Sequence, residues 1–457
     1  RAAQSRGDDR RRLAALGRAA MSTVAVTARE VALQVVRDVF GQQPRGAREA
    51  LDYRLRKTTL APRDRAFATE LAYGTIKMRR WLDFELQPFV GERMRTMPPT
   101  IVEILRLGAY QLRAMSGVEA YAAVSESVGL ARKYGHKGTA GLVNAVLRRV
   151  STEPPRDADL ATRASLPTWV VEHWRERFGE DRLDAIVAGV NAPAPIGLCV
   201  DLRRTTPDEA LAALAEAGIT ARVSPFARDE LVLDASVPAA ELERLAEHRW
   251  HLHAESAAIP VDLLDPQPGM RIVELCCGRG NKTLQIASRT ADTGTLLAVD
   301  DDERKIARIG TRIEAAGIAS VALVTADATG LPGTGDADAV LLDAPCSGLG
   351  ILGRQAEARW RKHVDDPARM APLQQRLLTA AASSVRPGGA LVYAVCSTDA
   401  REGEDVIEAF LQAQPGFARD ALPARYAPLA TPSGDVLVAP GIDGRDGFYV
   451  ARMLRTG

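Results

Sequence analysis

The sequence predicts a multidomain chain: an all-α front domain, a small α+β linker module, and an α/β Rossmann-like domain on a mostly parallel sheet. Three observations carry that expectation. The 457 residues exceed what one hydrophobic core ordinarily fills. Apolar residues three and four apart dominate the first third, and strand and helix patterns alternate from about Leu263 onward.

Taken in order, residues 1–24 are rich in Arg and Ala and are expected to form a disordered basic tail. Residues 25–152 carry helical periodicity, as in Ile104, Leu105, Leu107, Ala109, Tyr110 and Leu112 and again from Val124 to Leu147, without strand signals. After the Pro-containing stretch Ser151 to Pro155, a small α+β module is expected over 160–250. Trp169 to Phe178 reads as a helix, Ile196 to Asp201 as a strand and Pro207 to Ala217 as a helix. In the last domain, 251–457, strands are expected at Arg271 to Leu275, Thr295 to Asp300, Val321 to Thr325, Ala339 to Asp343 and Ala390 to Val395. Helices fit between them, notably Asp302 to Ala316 and Pro367 to Val385. Asp435 to Leu454 reads as two strands around the turn Gly441 to Gly447, a hairpin closing the sheet.

Composition narrows the function. No run approaches the roughly 20 apolar residues of a membrane helix, and nothing resembles a secretory signal, so a cytoplasmic protein without membrane contact is expected. Residues 1–150 hold 27 Lys+Arg against 14 Asp+Glu, a charge of +13, whereas the remainder carries −12. A basic front suggests a polyanionic partner, the bland alternative being an incidental solvated surface. Five cysteines without Cys-x-x-Cys spacing point to reduced thiols, with neither a disulfide scaffold nor a metal site expected.

In a doubly wound sheet, ligands sit beyond the carboxyl ends of the strands. The first loop reads Cys276, Cys277, Gly278, Arg279, Gly280, Asn281, Lys282, and Asp300 ends the second strand. Its glycines let backbone approach a ligand, and Asp300 can accept two ribose hydroxyls. Thr283 stands where a dinucleotide fingerprint needs its third glycine, which disfavours a nicotinamide oxidoreductase. Asp327, after the third strand, can accept from an adenine amino group; a helix cap is the plain alternative for any one of these acids. The fourth strand runs into Asp343-Ala-Pro-Cys346-Ser-Gly-Leu-Gly350 and the fifth into Val395-Cys396-Ser-Thr398. A lone Cys is more often a small buried residue than a nucleophile, but two leaving strands at the ligand-binding edge argue for chemistry.

These two cysteine motifs resemble those of the RNA cytosine-5 methyltransferases, and the whole chain, over roughly residues 25 to 455, is similar to the RsmB/Sun branch acting on 16S ribosomal RNA. The front-domain likeness, to NusB, rests on Asp64-Arg-Ala-Phe-Ala-Thr-Glu-Leu-Ala-Tyr-Gly-Thr75, Ile104-Leu-Arg-Leu-Gly-Ala-Tyr-Gln111 and Gly141-Leu-Val-Asn-Ala-Val-Leu-Arg-Arg149. The resemblance implies an S-adenosylmethionine-dependent enzyme in which Cys396 is the nucleophile and Cys346 assists product release. Cofactor contacts would come from the loop Cys276 to Lys282 and from Asp300, Asp327 and Asp343. The chemistry suits thiols: carbon 5 of cytosine becomes nucleophilic once a thiolate adds at carbon 6, and Asp343 can pair with the base edge. An unpaired loop cytosine in RNA is the expected target and a monomer the expected state. The closing Asp446-Gly-Phe-Tyr449 is also similar to the family's.

Departures from the family pattern are local. Glu274 replaces an Asp, Gly278-Arg279-Gly280-Asn281 replaces Ala-Pro-Gly-Gly, His253-Ala254-Glu255-Ser256 stands where Gln-Asp-Glu-Ala/Ser is common, and Arg354-Gln-Ala-Glu357 loses a proline. The alternatives are the same chemistry on transfer RNA or 23S ribosomal RNA, and a non-enzymatic RNA-binding antitermination factor.

Overall fold

The computed structural model describes residues 26–235, 237–333 and 335–457, with backbone alone at 239 and 240. The expected tail 1–24 lies outside the described residues. The chain divides into two compact units after Asp157.

The front unit is helical: α1 (Ala28–Phe40), α2 (Ala47–Arg56), α3 (Pro62–Lys77), α4 (Arg79–Val90), α5 (Pro99–Arg113), α6 (Ala120–Tyr134) and α7 (Lys137–Thr152). Helix α1 starts where Thr27 Oγ1 accepts the Glu30 N–H at 3.2 Å, and it buries Val31, Val35, Val36 and Val39 as one apolar stripe. The motifs behind the NusB likeness have a packing reason. A Cβ at Gly74 would lie 1.9 Å from the Tyr110 ring, whose hydroxyl donates to Glu70 at 2.7 Å. A Cβ at Gly108 would lie 2.4 Å from the Leu147 methyl groups, so glycine lets α5 and α7 pack closely without displacing that side chain. Buried charges are paired: Glu30 accepts from Lys133 and Tyr134, and Arg106 joins Asp83 and Glu103.

The second unit opens with α8 (Leu160–Arg163), α9 (Thr168–Phe178) and α10 (Glu180–Asn191), and then a small four-stranded antiparallel sheet. Its strands are β1 (Gly197–Val200), β2 (Ala221–Val223), β3 (Glu230–Leu233) and β4 (Trp250–His253), in the order β2-β3-β1-β4. Helices α11 (Pro207–Glu216) and α12 (Ala239–Ala246) belong to the same module, where Ala210, Leu214 and Leu242 join the strands' apolar cluster. The expected boundary at 250 cuts through β4, which pairs with β1 along its whole length. Strand β1 is also shorter than the expected Ile196 to Asp201. Helices α8–α10 take another course: Trp174, Ile186 and Val190 pack with Leu349, Leu352 and Ala439 of the large domain. Buried Arg359 fastens this contact by donating to Asn191 Oδ1 at 2.7 Å and to the Val190 carbonyl at 3.2 Å.

Helix α13 (Glu255–Leu264) leads into the large sheet of β5 (Arg271–Leu275), β6 (Thr295–Asp300), β7 (Val321–Thr325), β8 (Ala337–Asp343), β9 (Val385–Val395), β10 (Phe417–Arg419), β11 (Val436–Val438) and β12 (Phe448–Arg455). The order is β10-β12-β9-β8-β5-β6-β7, with β5 to β9 parallel and β12 antiparallel to β9; β11 pairs with β12 as the expected hairpin. Helices α14 (Asn281–Arg289), α15 (Glu303–Ala316), α16 (Asp366–Ser384) and α17 (Glu404–Ala413) connect the strands. Apolar clusters cover both faces, as parallel pairing requires. Two strands start earlier than expected because Val385 pairs with Ala337; the register then shifts across the Pro-Gly-Gly stretch of β9, where Gly388 has φ 76°.

Candidate active site

Strand order explains why distant residues meet. β5 and β8 are neighbours in the sheet although β6 and β7 separate them in the chain. Loops leaving such a switch point run apart and open a crevice at the carboxyl edge.

After β5 the backbone turns through Cys276 (φ 60°), Gly278 (φ 60°) and Gly280 (φ 75°). At Gly280 a Cβ would also lie 2.9 Å from Ile309, so α15 packs against this loop only because residue 280 is glycine. The loop borders a cavity of about 330 Å³ lined by Cys276, Gly278, Asp300, Asp327, Asp343 and Pro345, with Leu373 and Leu377 as apolar wall. Asp300 accepts from the Gly278 N–H at 2.8 Å, the Asp302 N–H at 3.1 Å and Lys305 Nζ at 3.0 Å. Burial would raise its carboxyl, but Lys305 and the two amides outweigh burial and hold it below its ordinary range, as an anion. Asp327 Oδ1 accepts from the Thr329 N–H and hydroxyl at 2.9 and 2.7 Å, capping a short turn while still bordering the cavity. Lys282 Nζ stands 2.7 Å from Asp343 Oδ2.

Part of the first loop does not face this cavity. Cys277 is 6% exposed and packs with Leu284 and Ile309, because the turn sends it beneath the loop. Asn281 Oδ1 accepts from Arg312 Nη1 at 2.8 Å, and Arg312 also caps the Arg279 carbonyl. Of the loop expected to supply cofactor contacts, Cys276 and Gly278 line this cavity, whereas Cys277, Arg279, Gly280, Asn281 and Lys282 are not among its lining residues. Glu274 is wholly buried under the loop and accepts from Thr283 Oγ1 at 2.6 Å.

The two strand-end thiols converge. Cys346 Sγ and Cys396 Sγ lie 3.3 Å apart, both partly exposed. Register brings them together: Asp343 of β8 pairs with Ala394 of β9, and each strand continues a few residues to its cysteine. The neighbouring sulfur and burial hold the Cys346 thiol well above its ordinary value. The pair therefore keeps a proton on Cys346.

Sequence reading missed the group that shapes this pair. Glu402 is fully buried, accepts from the Ser347 N–H at 2.7 Å and from the Ser347 hydroxyl, and receives Gln374 Nε2 at 3.1 Å. Ser347 Oγ stands 3.1 Å from Ser397 Oγ, so one carboxylate ties together the residues following both cysteines. The signal was the serine after each cysteine, two small polar groups with no apolar role. From α9, Arg177 Nε donates to the Thr398 carbonyl at 3.0 Å and so braces the turn after Cys396. The closing motif braces the other loop: the Gly447 N–H donates to the Gly350 carbonyl at 2.8 Å, and Asp446 accepts from Arg354 at 2.6 Å.

With this geometry in view, comparison with known proteins is decisive. The family described as 16S rRNA methyltransferase RsmB/F matches residues 261–454, the NusB family residues 26–152, and an RsmF/B-like ferredoxin-like domain residues 166–240. Ribosomal RNA small subunit methyltransferase B of Thermus thermophilus is 36% identical, covering 94% of this chain and 98% of that protein. The chain belongs to the ribosomal RNA small subunit methyltransferase B family. Another family member, from Pseudomonas putida, is 33% identical over 86% of this chain and 91% of its own length. Among solved structures, PH0851 superimposes with a TM-score of 0.80 at 24% identity over 94% of this chain and 99% of that one. NSun6 from Pyrococcus horikoshii gives 0.54 at 17% identity, over 64% of this chain and 98% of that one. The expected architecture thus holds: a NusB-type front domain, a ferredoxin-like module and a methyltransferase domain of the family's fold.

Proposed function

We propose that this chain methylates carbon 5 of a cytosine in small-subunit ribosomal RNA, using S-adenosylmethionine and a transient bond between Cys396 and carbon 6 of the base. The observation that carries the reading is the 3.3 Å approach of two strand-end thiols beside a cavity edged by the carboxylates of Asp300, Asp301, Asp327 and Asp343. The substrate class follows from family relatives named as ribosomal RNA small subunit methyltransferases.

The cavity suits the cofactor. Its volume of about 330 Å³ falls within the usual range for small-molecule sites. Anionic Asp300 offers oxygen acceptors to ribose hydroxyls, Asp327 has an oxygen free of its turn for an adenine amino group, and Leu373 and Leu377 give a flat base an apolar wall. When bound, S-adenosylmethionine supplies an electrophilic methyl group.

The chain's own residues do the rest. Cys396, as thiolate, adds to carbon 6 of a flipped cytosine while ring nitrogen 3 takes up a proton from water, which leaves carbon 5 electron-rich. Lys282 holds one oxygen of Asp343 and fixes its carboxylate, so the other oxygen can accept from the base edge and stabilise the protonated ring. After methyl transfer, water accepts the carbon 5 proton, the electrons re-form the ring double bond, the carbon–sulfur bond breaks toward Cys396, and ring nitrogen 3 gives its proton back to water. Cys346, held protonated 3.3 Å away, donates its S–H to the departing sulfur.

Denaturing electrophoresis of Cys346→Ala incubated with small-subunit ribosomal RNA and S-adenosylmethionine tests this reading. Turnover should fall about 100-fold or more while a covalent protein–RNA band accumulates, a band that Cys346→Ala/Cys396→Ala lacks. Wild-type-like turnover without an adduct, or an adduct persisting in the double variant, would remove the mechanism.

A further inference from the structure

The fifth cysteine takes no part in this chemistry. Cys199 lies in β1, and antiparallel register sets it opposite Glu230 of β3, while His253 of β4 stands opposite Gly197, two residues back and hence on the same face. One donor atom from each of Cys199, Glu230 and His253 lies within 4.8 Å of the others. Cys199 and Glu230 are 0% exposed and His253 6%. His253 Nδ1 is 3.2 Å from Glu230 Oε2, yet Glu230 Oε1 and His253 Nε2 are buried with no hydrogen-bond partner among the described residues. The Cys199 sulfur makes a 4.0 Å contact with the neighbouring Val200 carbonyl. Asp229, one residue before Glu230, is already taken by Arg289 and Gln285. Buried polar atoms left this way are costly unless something absent from the protein chain satisfies them. Gly197 lets the Glu230 carboxylate lie against β1, where a Cβ would stand 2.5 Å from Glu230 Oε1.

We propose that Cys199, Glu230 and His253 bind one zinc ion inside the small sheet. Thiolate, imidazole and carboxylate together suit zinc better than the hard cations, which prefer all-oxygen sets. A water molecule takes the fourth position. The ion would clamp β1, β3 and β4 just before the chain enters α13, a structural role apart from the thiol pair.

The test uses the full chain purified without a polyhistidine tag: elemental analysis, then cobalt titration of chelator-treated protein, read at the thiolate-to-cobalt charge-transfer band. About one zinc per chain is expected, falling about ten-fold or more in His253→Gln, with the charge-transfer band lost in Cys199→Ser. The Cys346→Ala/Cys396→Ala variant should keep its zinc, which separates this site from the catalytic thiols. Wild type with less than about 0.1 zinc and no cobalt band overturns the proposal, as does zinc that leaves with Cys346 and Cys396 or stays in His253→Gln. Should Cys199→Ser fail to fold, the His253→Gln and double-variant measurements decide by themselves.

Discussion

Two cysteine pairs in the methyltransferase domain make opposite use of the chain. Cys276 and Cys277 are adjacent in sequence, yet one borders the cavity and the other is buried against Leu284 and Ile309. Cys346 and Cys396 are 50 residues apart, yet their sulfurs lie 3.3 Å from each other. The difference teaches that sheet order and register, rather than proximity along the chain, bring reacting groups together: β8 and β9 run parallel with Asp343 beside Ala394, so their ends deliver both thiols to one place. The tight turn after β5 does the reverse, dividing two neighbours between cavity and core.

The sharpest way to break this comparison is to remove one sulfur from each pair. Cys396→Ala should lower methyl transfer by at least about 1,000-fold, the scale of losing a nucleophile. Cys277→Ala should leave transfer within about two-fold and cost on the order of 1 kcal/mol of stability, since it deletes only buried packing. Radiolabelled methyl incorporation and urea unfolding measure the two effects; similar activity losses in both variants would mean that the pairs are not functionally distinct.

A smaller effect is expected on the cavity side. Asp300→Ala removes a carboxylate that orders Gly278 and Lys305 and is available to a ribose. A charged hydrogen bond contributes about 1.5–3 kcal/mol, so the dissociation constant for S-adenosylmethionine should rise roughly 10- to 100-fold in calorimetric titration. The adduct-forming thiol of Cys396 should be untouched, so Cys346→Ala/Asp300→Ala should still trap RNA at saturating cofactor. An unchanged dissociation constant would place the cofactor elsewhere.

Much of this was legible in the sequence, for identifiable reasons. The five parallel strands were readable because their apolar runs are bounded by charged or glycine-containing turns, and both thiols because each follows such a strand directly. The small sheet was mostly missed: Glu230–Leu233 and Trp250–His253 are four-residue strands, too short to show a period, and Glu230 and His253 are polar residues buried in the interior. The orientation of the first loop was illegible because positive φ at Cys276, Gly278 and Gly280 sends successive side chains to different surroundings. Glu402 was invisible because its partners, Ser347 and Gln374, are remote in sequence and are brought to it only by the β8–β9 pairing and the packing of α16.

The smallest effect concerns stability alone and sharpens the contrast from beneath the first loop. Burial pushes the Glu274 carboxyl up to about 8 from its ordinary 4.5, against the lowering effects of Thr283 and Lys282. The folded chain therefore keeps a proton that the unfolded chain releases. This contribution is complete below about pH 4.5 and is lost as pH rises toward 8, at no more than about 1.4 kcal/mol per pH unit. Glu274→Gln cannot ionise, yet it retains an oxygen for the Thr283 hydroxyl. Its urea midpoint should accordingly fall less than that of wild type between pH 5 and pH 8, a window set by that carboxyl's displacement, and the two should run parallel above it. Parallel curves throughout would show that Glu274 is ionised in the fold, held by partners other than Thr283, and that the loop dividing Cys276 from Cys277 rests on a buried charge.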